Sequence, residues 1–217
     1  MTPPSDASCI IHLVRHGQTI LNREVRFRGR RDVPLNDVGR REALAAGHTL
    51  SLAGIDAVYA SPLSRALEVG TAIAAASGLD DVIANDLLVN LDYGRWEGLT
   101  AEESEAVDPV AWQAYRTSPE TAHCPGGESL VAAGDRIVRA MHEMAALHPG
   151  GTVAAVSHGV MLRLAVLRVA GQVTPDWQFR IPTGGSLTFA VRDGAARLVS
   201  TAPTESRDAA LAESTRV

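Results

Sequence analysis

Leu13-Val14-Arg15-His16-Gly17-Gln18-Thr19 closes an apolar run that opens with Cys9-Ile10-Ile11. Such a run reads as a buried strand, stopped by its glycine. It delivers an arginine, a histidine and a glycine to the C-terminal edge of the strand, where open α/β sheets bind ligands. Imidazole is a nucleophile near neutral pH. The adjacent guanidinium can grip phosphate oxygens in pairs. Gly17 lets the backbone approach those oxygens closely. The stretch therefore suits a histidine that attacks a phosphoryl group. The competing reading is a histidine satisfied structurally at a strand end.

Two further stretches repeat the pattern. Thr152-Val153-Ala154-Ala155-Val156 is a short apolar run ending in Ser157-His158-Gly159, and a helical pattern starts at once. Gly159 at that helix start would present backbone N–H groups to an anion. Ala57-Val58-Tyr59-Ala60 reads as a strand that Ser61-Pro62-Leu63-Ser64-Arg65-Ala66 turns into a helix, with Pro62 suited to its first turn. Three strand ends thus offer two histidines and two arginines.

The rest of the chain alternates in the same way. Helices are expected over 37–52, 62–76, 100–106, 109–116, 128–147 and 160–170, strands over 9–14, 57–60 and 152–156, and an extended piece over 81–89. Ser186–Val191 and Arg197–Ser200 read as a hairpin across Asp193-Gly194. This order predicts a single-domain α/β protein with a mostly parallel sheet covered by helices. Its domain is expected over 9–202, after a flexible N-terminus at 1–8 and before a disordered tail at 203–217.

Composition narrows the chemistry. The 217 residues are 46% hydrophobic but only 4% aromatic, so the core must be aliphatic. The net charge of -5 argues against a nucleic-acid partner. All 20 basic residues are arginine, which excludes a Walker lysine and a Schiff-base lysine. Cys9 and Cys124 are too few and too scattered for a disulfide framework or a zinc site. No metal site and no cofactor are expected. Free thiols, and an opening without a basic and apolar leader, point to the cytoplasm. No apolar stretch is long enough for a membrane span. The cluster Arg23, Arg26, Arg28, Arg30 and Arg31 is either a solvated loop or a rim that draws an anionic substrate, with Arg28 taken as a binding residue.

In its motifs the chain resembles the histidine phosphatase superfamily, the group that includes cofactor-dependent phosphoglycerate mutase. Arg15 to Thr19 is similar to the family's R-H-G-[EQ]-[ST], with Asn22 as its following asparagine. Ser61 to Ala66 is similar to its S-x-x-x-R-[AT] and Ser157-His158-Gly159 to its [SA]-H-G. Gly94-Arg95-Trp96-Glu97-Gly98 and Pro125-Gly126-Gly127-Glu128-Ser129 are similar to its G-x-x-E-G and P-x-G-E-S. The resemblance covers roughly residues 9 to 200. It implies a three-layer α/β/α sandwich of the phosphoglycerate mutase-like type. It also implies catalysis by His16, Arg15, Arg65 and His158, with Asn22, Thr19 and Gly159 on the phosphate and Tyr93 beside the substrate.

One position departs from the family. Where relatives carry a glutamate that protonates the leaving group, this chain has Asn90. An asparagine has no titratable proton, so Asn90 is taken as a binding residue. Asp92, two residues on in an extended segment, points to the same face and is the nearest replacement acid. Asp92 is therefore the candidate catalytic acid, and its structural reading is that relatives often have an aspartate there anyway.

The expected activity is metal-independent hydrolysis of a small phosphate monoester through a phosphohistidine. The stretch Leu99–Thr121 has a single cation, Arg116, which disfavours a mutase that must hold a phosphorylated acid in two orientations. A phosphoglycerate mutase-type phosphotransferase stays open. So does a weakly active phosphoester-binding or regulatory protein, because of Asn90. The expected partner is a small phosphorylated metabolite, and a homodimer is compatible with the sequence.

Overall fold

A computed structural model describes residues 8–171 and 177–200. The flexible ends expected at 1–8 and 203–217 fall outside it, apart from Ser8, as do positions 201–202 of the expected domain.

Six strands form one sheet in the order β3-β2-β4-β1-β5-β6. They are β1 (Cys9–Arg15), β2 (Ala57–Ala60), β3 (Ile83–Ala84), β4 (Thr152–Ser157), β5 (Ser186–Arg192) and β6 (Ala195–Ser200). The first four run parallel, whereas β5 and β6 are antiparallel additions on the β1 side. The helices are α1 (Ile20–Arg23), α2 (Asp37–Ser51), α3 (Ser64–Ala76), α4 (Ala101–Val107), α5 (Pro109–Thr117), α6 (Leu130–Leu147) and α7 (Gly159–Ala170).

Strand alternation sorts the core into two layers. Val14, Val58, Ala60, Ala154 and Val156 face α2 and α3, where Ala43, Leu50, Val69 and Ile73 close the packing. Ile11, Leu13, Tyr59, Val153 and Ala155 face the other way, onto Ile137, Met141, Leu162 and Ala165 of α6 and α7. The result is a helix–sheet–helix sandwich whose central strands β2 and β4 are buried on both faces. The few aromatic residues are gathered on the second side: Phe27, Tyr93, Trp96, Trp112, Tyr115 and Trp177 meet ring to ring.

Local chemistry explains most element ends. Asn36 caps α2 by accepting from the Gly39 amide at 2.9 Å. Ser129 caps α6 through the Ala132 amide at 3.1 Å. Asp193 and Gly194 both take positive φ, 50° and 72°, as a type I′ hairpin turn requires. The start of α3 differs from expectation. Leu63 is its N-cap and Pro62 lies outside the helix, so Arg65 is the second helical residue.

Because β1, β2 and β4 are parallel, their C-terminal ends share one edge. The ladder continues past the strands there. The His16 amide donates to Ser157 O at 3.0 Å and the Ser61 amide to Val156 O at 2.9 Å. His16, Ser61 and His158 are thereby set side by side by backbone alone.

Candidate active site

His16 is fully buried, yet only half of its ring is satisfied. Nδ1 lies 2.6 Å from the Gly17 carbonyl, an acceptor, so Nδ1 carries the proton and donates. Nε2 is left with its lone pair, buried and without a hydrogen-bond partner. Gly17 is required by packing: a Cβ there would lie 2.4 Å from Gly39 O. Burial, then Arg65, Arg28 and Arg15, hold the His16 pKa well below the usual imidazole value. The ring is therefore neutral at neutral pH, as a nucleophile must be.

His158 stands opposite, its ring centroid 5.1 Å from that of His16. Its Nε2 is 3.0 Å from the Ser61 hydroxyl. With the hydroxyl donating, Nδ1 bears the remaining proton, and it too is buried without a partner. Burial first, then Arg65 and His16, lower the His158 pKa well below the usual value. The two facing rings thus carry one buried, unpartnered nitrogen each.

Two guanidiniums complete the floor. Arg65, fully buried, donates to Arg31 O at 2.7 Å and Gly29 O at 3.0 Å, and its Nε has no partner. Arg15 donates to Ile181 O, and its Nε is likewise unpartnered. That Nε lies 3.2 Å from where a Cβ on Gly159 would stand, so the glycine keeps the α7 N-terminus open beside it. Burial, then the like charge of Arg28, pulls Arg15 down to about 9 and Arg65 to about 10, both still cationic at pH 7.

Asn22 and Thr19 form a capping box at α1. The Asn22 Oδ1 accepts from the Thr19 amide at 3.0 Å and the Thr19 hydroxyl at 2.9 Å. Thr19 is thereby spent on structure, while the Nδ2 of Asn22 is uncommitted at the edge of a cleft of about 300 Å³. Arg15, Gly159, Arg28 and Tyr93 line that cleft as well. The Tyr93 hydroxyl is 3.3 Å from that of Tyr115, and burial pushes its pKa well up.

Asn90 is buried against the site. Its Nδ2 donates at 3.0 Å to Gly29 O, the carbonyl that Arg65 also holds, and its Oδ1 has no partner. Asp92 meets different neighbours. Its Oδ1 accepts from the Gly94 amide at 2.9 Å and its Oδ2 faces Arg30 at 3.7 Å. It makes no hydrogen bond to His16. Asp92 thus serves the Gly94 turn, where φ is +54° and a Cβ would sit 2.4 Å from Pro125 O.

Arg136 and Ser61 are structural supports that sequence reasoning missed as site residues. Arg136 on α6 grips Glu128 with two bonds, at 3.1 and 2.9 Å. The same guanidinium donates to Leu87 O, Val89 O and Asn90 O, pinning the segment that carries Asn90. Of the arginine cluster, Arg26 pairs with Glu103, Arg30 with Glu128 and Arg31 with Glu97, whereas Arg28 turns into the cleft. Among the described residues, no group of three or more His, Cys, Asp and Glu side chains is placed to hold a metal ion.

A mixed, mostly parallel sheet with two histidines and two buried arginines at one edge has the fold of a histidine phosphatase. The chain belongs to the histidine phosphatase superfamily (branch 1), whose model matches residues 11–203. It is 38% identical over 159 residues to a bifunctional protein of Mycobacterium tuberculosis, a match covering 73% of this chain and 43% of that protein. The chain therefore spans under half the length of that relative. It is 31% identical to phosphoserine phosphatase 1 of Hydrogenobacter thermophilus, covering 77% and 79% of the two chains. Among solved structures it superposes on mycobacterial glucosyl-3-phosphoglycerate phosphatase bound to VO3, with a TM-score of 0.79 at 26% identity, covering 89% of this chain and 99% of that one. No helix among the described residues is long and apolar enough to cross a membrane.

Proposed function

We propose that this chain hydrolyses a small phosphate monoester through a phosphohistidine on His16, without a metal ion. The observation that carries the reading is the His16 ring. Its proton is fixed on Nδ1 by Gly17 O, its Nε2 is buried without a partner, the charges of Arg65, Arg28 and Arg15 act on the ring, and the His158 ring lies 5.1 Å away.

The Nε2–P bond forms as the P–O bond to the alcohol breaks. Arg15, Arg65, the His158 Nδ1–H and the Gly159 amide hold the equatorial oxygens, and Asn22 adds its Nδ2 from the side. These donors are in place before the substrate arrives, so little reorganisation opposes the transfer. The alcohol oxygen takes its proton from water in the open cleft, since the side chain at position 90 is an amide and Asp92 is engaged at the Gly94 turn. A second water then attacks phosphorus, the N–P bond breaks, and phosphate leaves with His16 restored. The relatives named as phosphoserine and glucosyl-3-phosphoglycerate phosphatases support a small phosphorylated metabolite as substrate.

Rapid quench with a ³²P-labelled aryl phosphate, in the presence of a strong chelator, tests the reading. An acid-labile, base-stable label on His16 is expected, absent from His16→Ala. Full turnover by His16→Ala, or loss of activity on chelation with rescue by a divalent ion, would overturn it.

A further inference from the structure

Arg65 is aimed by a turn rather than by its own helix. Its two terminal nitrogens donate to Arg31 O at 2.7 Å and Gly29 O at 3.0 Å, and its Nε is left without a partner. The position of those two carbonyls therefore decides where Nε points. Residues 28–34 belong to no helix or strand. The turn closes on a backbone bond of 3.2 Å from the Arg31 amide to Arg28 O, with Gly29 at φ +52°.

Side chains hold this turn where secondary structure does not. The Glu97 Oε1 accepts from the Arg30 amide at 2.7 Å, and the Glu97 side chain is 18% exposed. Asn90 donates to Gly29 O beside Arg65, and the Arg30 guanidinium reaches Glu128 at 3.4 Å. Asp32 Oδ1 accepts from the Ser64 amide and hydroxyl at 2.8 and 2.7 Å, which ties the segment to the start of α3. A Cβ on Gly29 would collide with Glu97 Oε1, so the turn and the carboxylate are fitted to each other.

One peptide unit thus lies between opposite charges. The C=O of the Gly29–Arg30 peptide accepts from the Arg65 guanidinium, and its N–H donates to the Glu97 carboxylate. Each bond polarises the peptide toward the other, so the two strengthen each other. Burial and Arg28 work against the Arg65 charge, whereas Asp32 and Glu97 support it.

We propose that Glu97 is a positioning residue for phosphoryl transfer, acting through the Gly29–Arg30 peptide to hold Arg65 on the transferred group. Glu97 is not among the residues that line the cleft, so it works at one remove from the substrate. The proposal rests on the role given to Arg65 at the phosphoryl site.

Calorimetric binding of orthovanadate, a mimic of the transferred group, tests it without turnover. Glu97→Ala should weaken binding about tenfold. Glu97→Asp should do the same, because its carboxylate is one methylene too short for the Arg30 amide. Glu97→Gln keeps an oxygen that can accept from that amide, and should stay within about threefold of the natural protein. In an Arg65→Gln background, Glu97→Ala should change affinity by less than about twofold, because the group it positions is gone. Either of the Ala and Asp variants suffices if the other fails to fold, and the comparison with Glu97→Gln needs no Arg65 variant. Equal loss in both backgrounds, no loss in either, or a Glu97→Gln protein as weak as Glu97→Ala would overturn the proposal and leave Arg65 in place. An Arg65→Gln protein that binds orthovanadate as tightly as the natural one would instead remove Arg65 from the phosphoryl site, and this proposal with it.

Discussion

At the scale of single residues, the site is defined by which atoms lack partners. The unpaired Nε2 of His16, Nδ1 of His158 and Nε of Arg15 and Arg65 are buried polar atoms that a finished core would not leave unsatisfied. An oxyanion accepts from the guanidinium Nε–H groups of Arg15 and Arg65, whereas the Nε2 lone pair of His16 calls for an electrophile. Asn90 stands where the family resemblance leads one to expect an acid. General acid help is worth about a hundredfold to ten-thousandfold. Without it, rates should fall steeply as the leaving alcohol grows more basic, and aryl phosphates should far outrun alkyl phosphates. Asn90→Glu places a carboxyl beside Arg65 and should speed alkyl phosphate cleavage by about a hundredfold while changing aryl phosphate cleavage little. Asp92→Asn should affect both substrate types alike, because its carboxylate serves the Gly94 turn. A shallow leaving-group dependence in the natural protein, or a selective loss on alkyl phosphates in Asp92→Asn, would return Asp92 to the role of acid.

At the scale of elements, the support for Asn90 comes from α6. Arg136 holds Glu128 and three carbonyls of the 87–90 segment, with both side chains about 15% exposed. Breaking such a pair strands a partly buried carboxylate. Arg136→Met should cost about 3 kcal/mol. Arg139 on the same helix has only an exposed i,i+4 pair with Glu143, so Arg139→Met should stay within about 0.5 kcal/mol. Urea unfolding of the two variants measures the difference; equal midpoints would deny the clamp. The same elements mark how far sequence reading reaches. The strand ends at His16, Ser61 and His158 were legible because apolar runs stop at polar residues in sequence. The Asp193-Gly194 hairpin was legible because the turn type demands those residues. Pro62 was misplaced because the helix began two residues later, on a backbone cap without a side-chain signal. Arg136 was invisible for a different reason. Its carbonyl partners are 46 to 49 residues away, Glu128 lies eight residues away beyond the helix start, and no local pattern distinguishes a clamp from a solvated helix face. Arg28 stood out only as one of five neighbouring arginines, because only packing shows which of them turns inward.

At the scale of the whole molecule, the buried histidines link catalysis to stability. His16 and His158 are neutral in the folded state, with pKa values held well below the ordinary imidazole value. In the unfolded chain both return to about 6.5. Between the folded and unfolded values the unfolded state binds more protons, so stability rises with pH across that window and falls as pH drops below about 6.5. Each imidazole contributes up to roughly 1.4 kcal/mol per pH unit, and most carboxylates have not begun to titrate at the upper end of the window. Urea midpoints measured from pH 7.5 down to 5.5 should therefore decline below pH 6.5, and His158→Gln should flatten the decline. The catalytic counterpart runs the other way: because His16 stays neutral when free, kcat/KM should not lose a factor of ten per pH unit just below 6.5 through protonation of the nucleophile. A midpoint profile flat from pH 7.5 to 5.5 would mean that these histidines are not held neutral by the fold.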